Sequence, residues 1–150
     1  MKPTPSGWPR LSSGLTYKEP AEMLDWLCQA FGFEIRLKVE GEDGALLYSE
    51  LAYGEALMML NGERLGPELR FGMKFLSPAT AGGITQHLMI FVDDVDAHCA
   101  QARAAGAVIA DEPALHDYGE AYWADRSYGA VDPEGHLWWF TQRVRSANET

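Results

Sequence analysis

The sequence has few cysteines, few basic residues and no long apolar run, and each shortage excludes a class of protein. Its only two cysteines, Cys28 and Cys99, are far apart and form no CxxC motif. We therefore expect no disulfide framework, but small buried thiols in a reducing cytoplasm. The longest apolar runs are too short for a bilayer, and the N-terminus shows no secretory apolar segment. These features predict a cytoplasmic protein with no membrane contact.

Basic residues are outnumbered by acidic ones, 12 Lys and Arg against 22 Asp and Glu, which gives a formal net charge of −10. Nucleic acids and anionic membranes are bound through basic surfaces, so neither is an expected partner. The charge alone does not specify a cationic ligand, because most surface charges serve solubility. The contents of apolar (47%) and charged (23%) residues are those of a globular protein.

The apolar pattern predicts an α+β fold made of two tandem βαβββ modules. The first module is expected at residues 11–61, with strands at 11–17, 33–39, 45–53 and 55–60 and a helix at 21–31. The second is expected at residues 84–145, with a strand at 84–92, a helix at 95–105 and a strand at 107–110 that Pro113 interrupts. Residues 62–83 form a connector, whose alternating centre at 71–75 is expected to pack against the protein.

A β-turn-β unit completes the second module. A strand is expected at 120–128, and the turn Asp132-Pro133-Glu134-Gly135 leads into a strand at 136–143 that is rich in Trp and Phe. The two modules align at an offset of about 75 residues, which grows to about 81 where Gly54 is aligned with Gly135. The alternative is a single α+β sheet with a coincidental rhythm.

Several motifs in order carry a family resemblance. They are the segments QHLMIFVDDVD (86–96), DYG (117–119) and DPEGHLW (132–138). Together they resemble the glyoxalase/bleomycin-resistance/dioxygenase group of the vicinal oxygen chelate superfamily. The resemblance implies that paired modules form incomplete barrels with a concave ligand face, and that the chain forms homodimers. It also implies a divalent metal held by one first-strand and one last-strand residue from each module.

Only one of these four metal positions carries a metal ligand in this sequence. His87 matches the histidine on the first strand of the second module, and Ser12 stands at the equivalent place in the first. Trp139 and Met58 occupy the two last-strand positions. Such a set offers no reasonable coordination sphere, so no metal or other cofactor is expected. A displaced metal site would need other residues, and no spacing supports one among His116, Asp117, Glu120 and Asp125.

The same positions predict an apolar pocket instead. Strand alternation places His87, Met89 and Phe91 on one face of the first strand. We expect this face to line a concave cavity together with Trp139 and Met58. Two further residues are expected to supply its polar contacts, Arg126, which matches the family's arginine position, and Tyr128. Structural roles remain open: His87 as a core histidine, Trp139 as a plug of the pocket, and Arg126 as the surface partner of Asp125.

These features leave three hypotheses for the function. The first is a non-catalytic protein that binds a small aromatic or amphipathic molecule and, because the metal ligands are missing, has no catalytic metal. The alternative is a metal-dependent lyase, isomerase or dioxygenase with altered ligands. A third is a metal-free enzyme that uses His87 as a general base, although no orienting carboxylate is evident in the sequence.

Overall fold

The computed structural model describes residues 1–67 and 69–147. The chain divides into two compact units, Met1–Gly82 and Gly83–Thr150. Each unit contains a helix between its first two strands and a four-stranded mixed sheet with the same strand order, which confirms the prediction of two tandem βαβββ modules. The longest helix among the described residues, α1, has 12 residues, so none of these helices would cross a membrane.

The first unit opens with an irregular N-terminal segment. Its elements are β1 (Ser13–Tyr17), α1 (Pro20–Phe31), β2 (Glu34–Glu40), β3 (Leu46–Tyr53), β4 (Ala56–Gly62), a 3₁₀ turn (Arg70–Gly72) and α2 (Pro78–Ala81). The sheet order is β1-β4-β3-β2, in which β1 and β4 are parallel and the other pairs antiparallel.

The second unit repeats this topology. Its elements are β5 (His87–Phe91), α3 (Val95–Ala104), β6 (Val108–Asp117), β7 (Ala124–Val131) and β8 (Leu137–Arg145). The sheet order is β5-β8-β7-β6, with β5 and β8 parallel. Asp94 ends the loop before α3, where its carboxylate accepts a hydrogen bond of 3.0 Å from the backbone N–H of Ala97. Asp94 is therefore the N-cap of α3.

Each helix buries one apolar stripe in its own unit. The stripe of α1 consists of Met23, Leu24, Leu27, Ala30 and Phe31, and that of α3 of Val95, Cys99 and Ala102. Beneath α3, Trp138, Phe140 and Tyr128 are completely buried. Burial of each large apolar side chain contributes about 1.5–3 kcal/mol, so these stripes fix each helix on its sheet. Burial also raises the pKa of the Cys28 and Cys99 thiols, which keeps both protonated and unreactive.

The turn between β7 and β8 is organised around Asp132, which is 3% exposed. Its carboxylate accepts hydrogen bonds from the backbone N–H groups of Glu134 and His136 and from the indole N–H of Trp138. The N–H of Gly135 donates to the carbonyl of Asp132, and Gly135 has a φ of 98°, which other residues rarely adopt. The predicted turn is therefore confirmed.

Two predicted strands of the second unit have different bounds in the structure. The strand expected at 120–128 begins only at Ala124, because residues 118–123 form a loop closed by a hydrogen bond from Tyr118 N–H to the Trp123 carbonyl. The strand expected to stop before Pro113 continues to Asp117. Pro113 is tolerated because β6 is an edge strand and its register shifts between Asp111 and Ala114.

The connector and the N-terminal segment both belong to the first unit. The alternating segment at 71–75 is not a strand: the 3₁₀ turn ends within it, and Phe71 and Met73 are exposed, so the expectation that the segment packs against the protein is wrong for these two side chains. Phe75 pairs with Arg64 in an isolated bridge. Glu63 accepts hydrogen bonds from the backbone N–H and hydroxyl of Ser77, which begins α2. In the N-terminal segment, the ring of Trp8 lies 5.1 Å from the guanidinium carbon of Arg36.

Candidate functional site

The candidate site lies on the face of the second sheet that is turned away from α3, which we call the open face. His98 of α3 identifies the opposite face, because its ring lies 4.2 Å from Phe140 and its Nδ1 lies 2.6 Å from the hydroxyl of Tyr128. Strand alternation then places His87, Met89 and Phe91 on the open face of β5 and Trp139 on that of β8. His87, Met89 and Phe91 are exposed, as a site for a ligand requires.

The strand register aligns four residues in one row across the open face. Met89 pairs with Trp139, Trp139 with Gly129, and Gly129 with Asp111. The indole of Trp139 lies over Gly129, since a Cβ on that glycine would stand only 3.2 Å and 3.3 Å from the ring atoms Cη2 and Cζ3. The same Cβ would be 3.5 Å from the Cβ of Asp111. Gly129 is thus the place where the Trp139 ring approaches the backbone closely.

A cavity of about 320 Å³ covers this row. It is lined by His87, Met89, Asp111, His116, Tyr118, Asp125, Ser127, Trp139 and Thr141. The volume is at the lower end of the range for small-molecule pockets, which is roughly 300–1,000 Å³. Aromatic and thioether groups lie beside carboxylates, hydroxyls and two imidazoles. This lining offers flat apolar contact together with several hydrogen-bonding groups.

An arginine on the open face lies next to this cavity. Arg143 forms an ion pair with the buried carboxylate of Asp125 at 2.5 Å. Its guanidinium carbon lies 5.4 Å from the ring centre of Phe91 and 5.3 Å from that of Trp123. Arg143 is therefore held between two rings, and its charge balances that of Asp125.

The loop before β7 adds exposed aromatic groups to the same end of the sheet. Tyr118 and Tyr122 are more than half exposed, and Trp123 contacts both rings. Arg145 holds this loop by an ion pair with Asp117 and hydrogen bonds to the carbonyl groups of Gly119 and Tyr122. Tyr118 also lines the cavity.

The structure brings together four of the seven predicted ligand residues. His87, Met89 and Trp139 line the cavity, and Phe91 lies on the same face beside Arg143. The prediction for Arg126 and Tyr128 is wrong, since both lie on the helix side of β7. Arg126 pairs with Asp96 of α3 at 2.7 Å, and its hydrogen bonds hold the pKa of the Asp96 carboxyl below its usual value. Tyr128 is completely buried against His98.

The prediction for Met58 is also wrong. Gly14 of β1 pairs with Met59, as Met89 of β5 pairs with Trp139, so Met59 is the structural equivalent of Trp139. Met58 is 3% exposed and shares its face with the buried Leu60. The alignment of Gly54 with Gly135 causes the error, because the β3–β4 turn is shorter than the β7–β8 turn. A slip of one residue along a strand moves every side chain to the other face.

The predicted ligand residues omit several residues of the site, among them Asp111, Gly129 and Arg143. A glycine inside a strand pattern is a known sign of close approach, so Gly129 was accessible to sequence reasoning. Asp111 and Arg143 depend on the register of an irregular edge strand and on the length of β8, which the sequence did not reveal.

Comparison with known proteins decides the family. Residues 11–140 match the Glyoxalase/Bleomycin resistance protein/Dioxygenase superfamily. The chain belongs to this superfamily. Among its relatives are uncharacterized proteins of Mycobacterium bovis and Mycobacterium tuberculosis, each 36% identical over 141 residues. The alignment covers 93% of this chain and 87% of the first relative or 78% of the second.

Solved structures of this superfamily have the same fold. TioX from Micromonospora sp. ML1 is 26% identical and has a TM-score of 0.70, with 91% of this chain and 99% of that chain covered. A glyoxalase/bleomycin resistance protein/dioxygenase from Alicyclobacillus acidocaldarius is 12% identical, with a TM-score of 0.60 and coverage of 94% and 96%. The second likeness concerns the fold alone.

The superfamily resemblance implies a divalent metal, and the residues of this chain do not fit one. Of the corresponding positions, His87 alone carries a usual ligand; Trp139 offers only an indole N–H, and Met59 a soft thioether. Within residues 1–67 and 69–147, no group of three His, Cys, Asp or Glu side chains is arranged to hold a metal ion.

Proposed function

We propose that this protein binds a flat aromatic or amphipathic small molecule on the open face of its second unit, without catalysis and without a catalytic metal. The observation that carries the proposal is the position of Trp139. The indole stands where the resemblance expects a last-strand metal ligand, and it forms part of the lining of the 320 Å³ cavity. An aromatic ring there supplies stacking area in place of a metal ligand.

The surroundings of Trp139 support binding rather than chemistry. His87 and His116 both line the cavity, but within the described part of the chain neither forms a hydrogen bond to a carboxylate that would orient it as a base. A general base needs such an orienting group or a nucleophile within hydrogen-bond reach. The metal-dependent lyase, isomerase or dioxygenase remains the alternative, and His87 at a family ligand position is the observation in its favour.

We also propose that the protein acts as a homodimer in the cytoplasm. Exposed apolar side chains of the second unit outside the cavity lining, Val108 (64%), Leu115 (57%) and Val144 (55%), support a partner surface. Two free cysteines, Cys28 and Cys99, are compatible with a reducing compartment. No nucleic acid or membrane partner is proposed, because of the net charge of −10.

Binding of acridine, a flat uncharged probe in slightly alkaline buffer, tests the proposed function. Equilibrium dialysis should give saturable binding at micromolar concentration. Trp139→Leu should weaken it about tenfold, the effect of losing a ring contact of roughly 1.4 kcal/mol. Trp26→Leu is the matched control, because Trp26 lies on α1 and packs against Phe31. Absence of binding, or equal losses in both variants, would contradict the proposal.

A further inference from the structure

We propose that the cavity selects a flat molecule that carries a positive charge, and that Asp111 is the residue that sets this preference. This inference rests on the proposed function, since it specifies the ligand class of the same cavity. It is carried by the row Trp139–Gly129–Asp111, which places a carboxylate beside an aromatic platform.

The geometry of the row brings the Trp139 indole and the Asp111 carboxylate close together. Gly129 has no side chain, so the Trp139 indole lies over the backbone of β7 and Asp111 stands on the far side of the same glycine. The two side chains therefore flank one shallow position on the open face. A flat ligand stacked on the indole would bring its edge next to the Asp111 carboxylate.

The charges around the cavity leave one carboxylate without an ion-pair partner among the described residues. Asp125 is paired with Arg143, so its charge is balanced within the protein. Asp111 is exposed and has no ion pair among the described residues. Asp111 and Asp125 are the two carboxylates that line the cavity. The cavity then carries one unbalanced negative charge.

The aromatic rings of the cavity lining also favour a cationic ligand. Cations are attracted to the faces of Trp and Tyr rings, and Trp139 and Tyr118 both line the cavity. A carboxylate within the same cavity acts in the same direction. The combination favours a delocalised organic cation, such as a quaternised heteroaromatic ring, over a neutral ring of the same shape.

A matched pair of probes tests this selectivity. 10-Methylacridinium and acridine share one ring system, and in slightly alkaline buffer only the first is charged. Equilibrium dialysis should show that the wild-type protein binds the cation about three- to tenfold more tightly, as expected for an exposed cation–π contact plus an exposed ion pair. Added salt should reduce this ratio, because an exposed charge is screened.

Asp111→Asn should bring the ratio of the two dissociation constants close to one, because it keeps the shape of the side chain and removes its charge. Asp93→Asn is the matched control; it changes the net charge equally but lies outside the cavity, in the loop before α3, and should keep the wild-type ratio. Circular dichroism of both variants checks that they fold.

The outcomes separate the inference from the proposed function. A ratio near one in the wild type, or a ratio that Asp111→Asn leaves unchanged, would overturn the cation preference even if both probes bind through Trp139. Equal loss of the preference in both variants would assign it to net charge and would also overturn the role of Asp111. If neither probe binds, or if Trp139→Leu affects neither, the proposed function itself fails.

Discussion

At the scale of single residues, the site depends on Gly129 as much as on the aromatic ring of Trp139. Gly129 allows the Trp139 ring to lie across β7, because the ring occupies the space that a side chain at position 129 would need. If the indole of Trp139 projected away from the sheet, it would fill the cavity. Because it lies along the surface of the sheet, it forms the floor of the cavity instead. Gly129 therefore determines whether the Trp139 indole fills the cavity or leaves it open to a ligand.

Gly129→Ala should weaken the binding of acridine and 10-methylacridinium by similar factors and leave their ratio unchanged. The new Cβ would lie 3.2 Å from the ring, closer than an ordinary contact, so the indole must shift. Gly83→Ala is the matched control, because a Cβ there meets no atom within 4 Å. Equilibrium dialysis measures both constants. Unchanged binding in Gly129→Ala would show that the orientation of Trp139 is not important.

At the scale of elements, the sequence predicts the elements better than it predicts their faces. Helical spacing places α1 and α3 within a residue of their observed bounds, because each stripe has to be buried on its sheet. Strand faces are less certain, since one residue of error reverses them. The sequence alignment predicts Met58 on the open face because it treats two turns of different length as equal. In the structure, Met59 takes that position.

The arginine of the open face shows the same limit. Arg126 matches a family position, but the loop at 118–123 delays the start of β7 and its side chain points to α3. Arg143 takes the place next to the cavity because β8 extends to Arg145. Neither loop conformation nor strand length follows from local propensity, so these contacts required the structure.

The end of β4 is joined to α2 by a contact that should respond to pH. Hydrogen bonds from Ser77 are the largest cause that lowers the pKa of Glu63. A carboxyl with a lowered folded pKa stabilises the fold above its unfolded value of about 4.3, and this stabilisation is lost as the pH falls through the folded value.

Glu63→Gln should therefore lower the Tm at neutral pH, and the gap to the wild type should shrink below about pH 4. Glu55→Gln, in the exposed turn between β3 and β4, is the control and should show little change. Thermal unfolding followed by circular dichroism across this range gives the comparison. A gap that stays constant with pH would mean that the charge of Glu63 does not stabilise α2.

At the scale of the whole molecule, the exposed apolar side chains of the second unit favour a homodimer. Each unit has a sheet with one face packed on its helix, and exposed apolar side chains remain on the second unit. Size-exclusion chromatography with light scattering should give twice the mass of one chain at micromolar concentration. A monomer under these conditions would contradict the homodimer and would leave those apolar side chains in water.

The superfamily combines one fold with different ligands, and its metal chemistry depends on a few side chains. This chain keeps the paired βαβββ topology and His87 while tryptophan and methionine occupy last-strand positions. The fold therefore does not determine the function here. The central claim is that the open face binds a small molecule in place of a catalytic metal.

The most direct test of this claim is the metal content of the protein. The chain should be purified without chelator, incubated separately with Ni, Zn, Fe and Mn, desalted and measured by elemental analysis. Our account predicts far less than one metal per dimer in every case, because the donor set around His87 is incomplete. One metal per chain or per dimer would contradict it and would make the lyase, isomerase or dioxygenase the leading hypothesis.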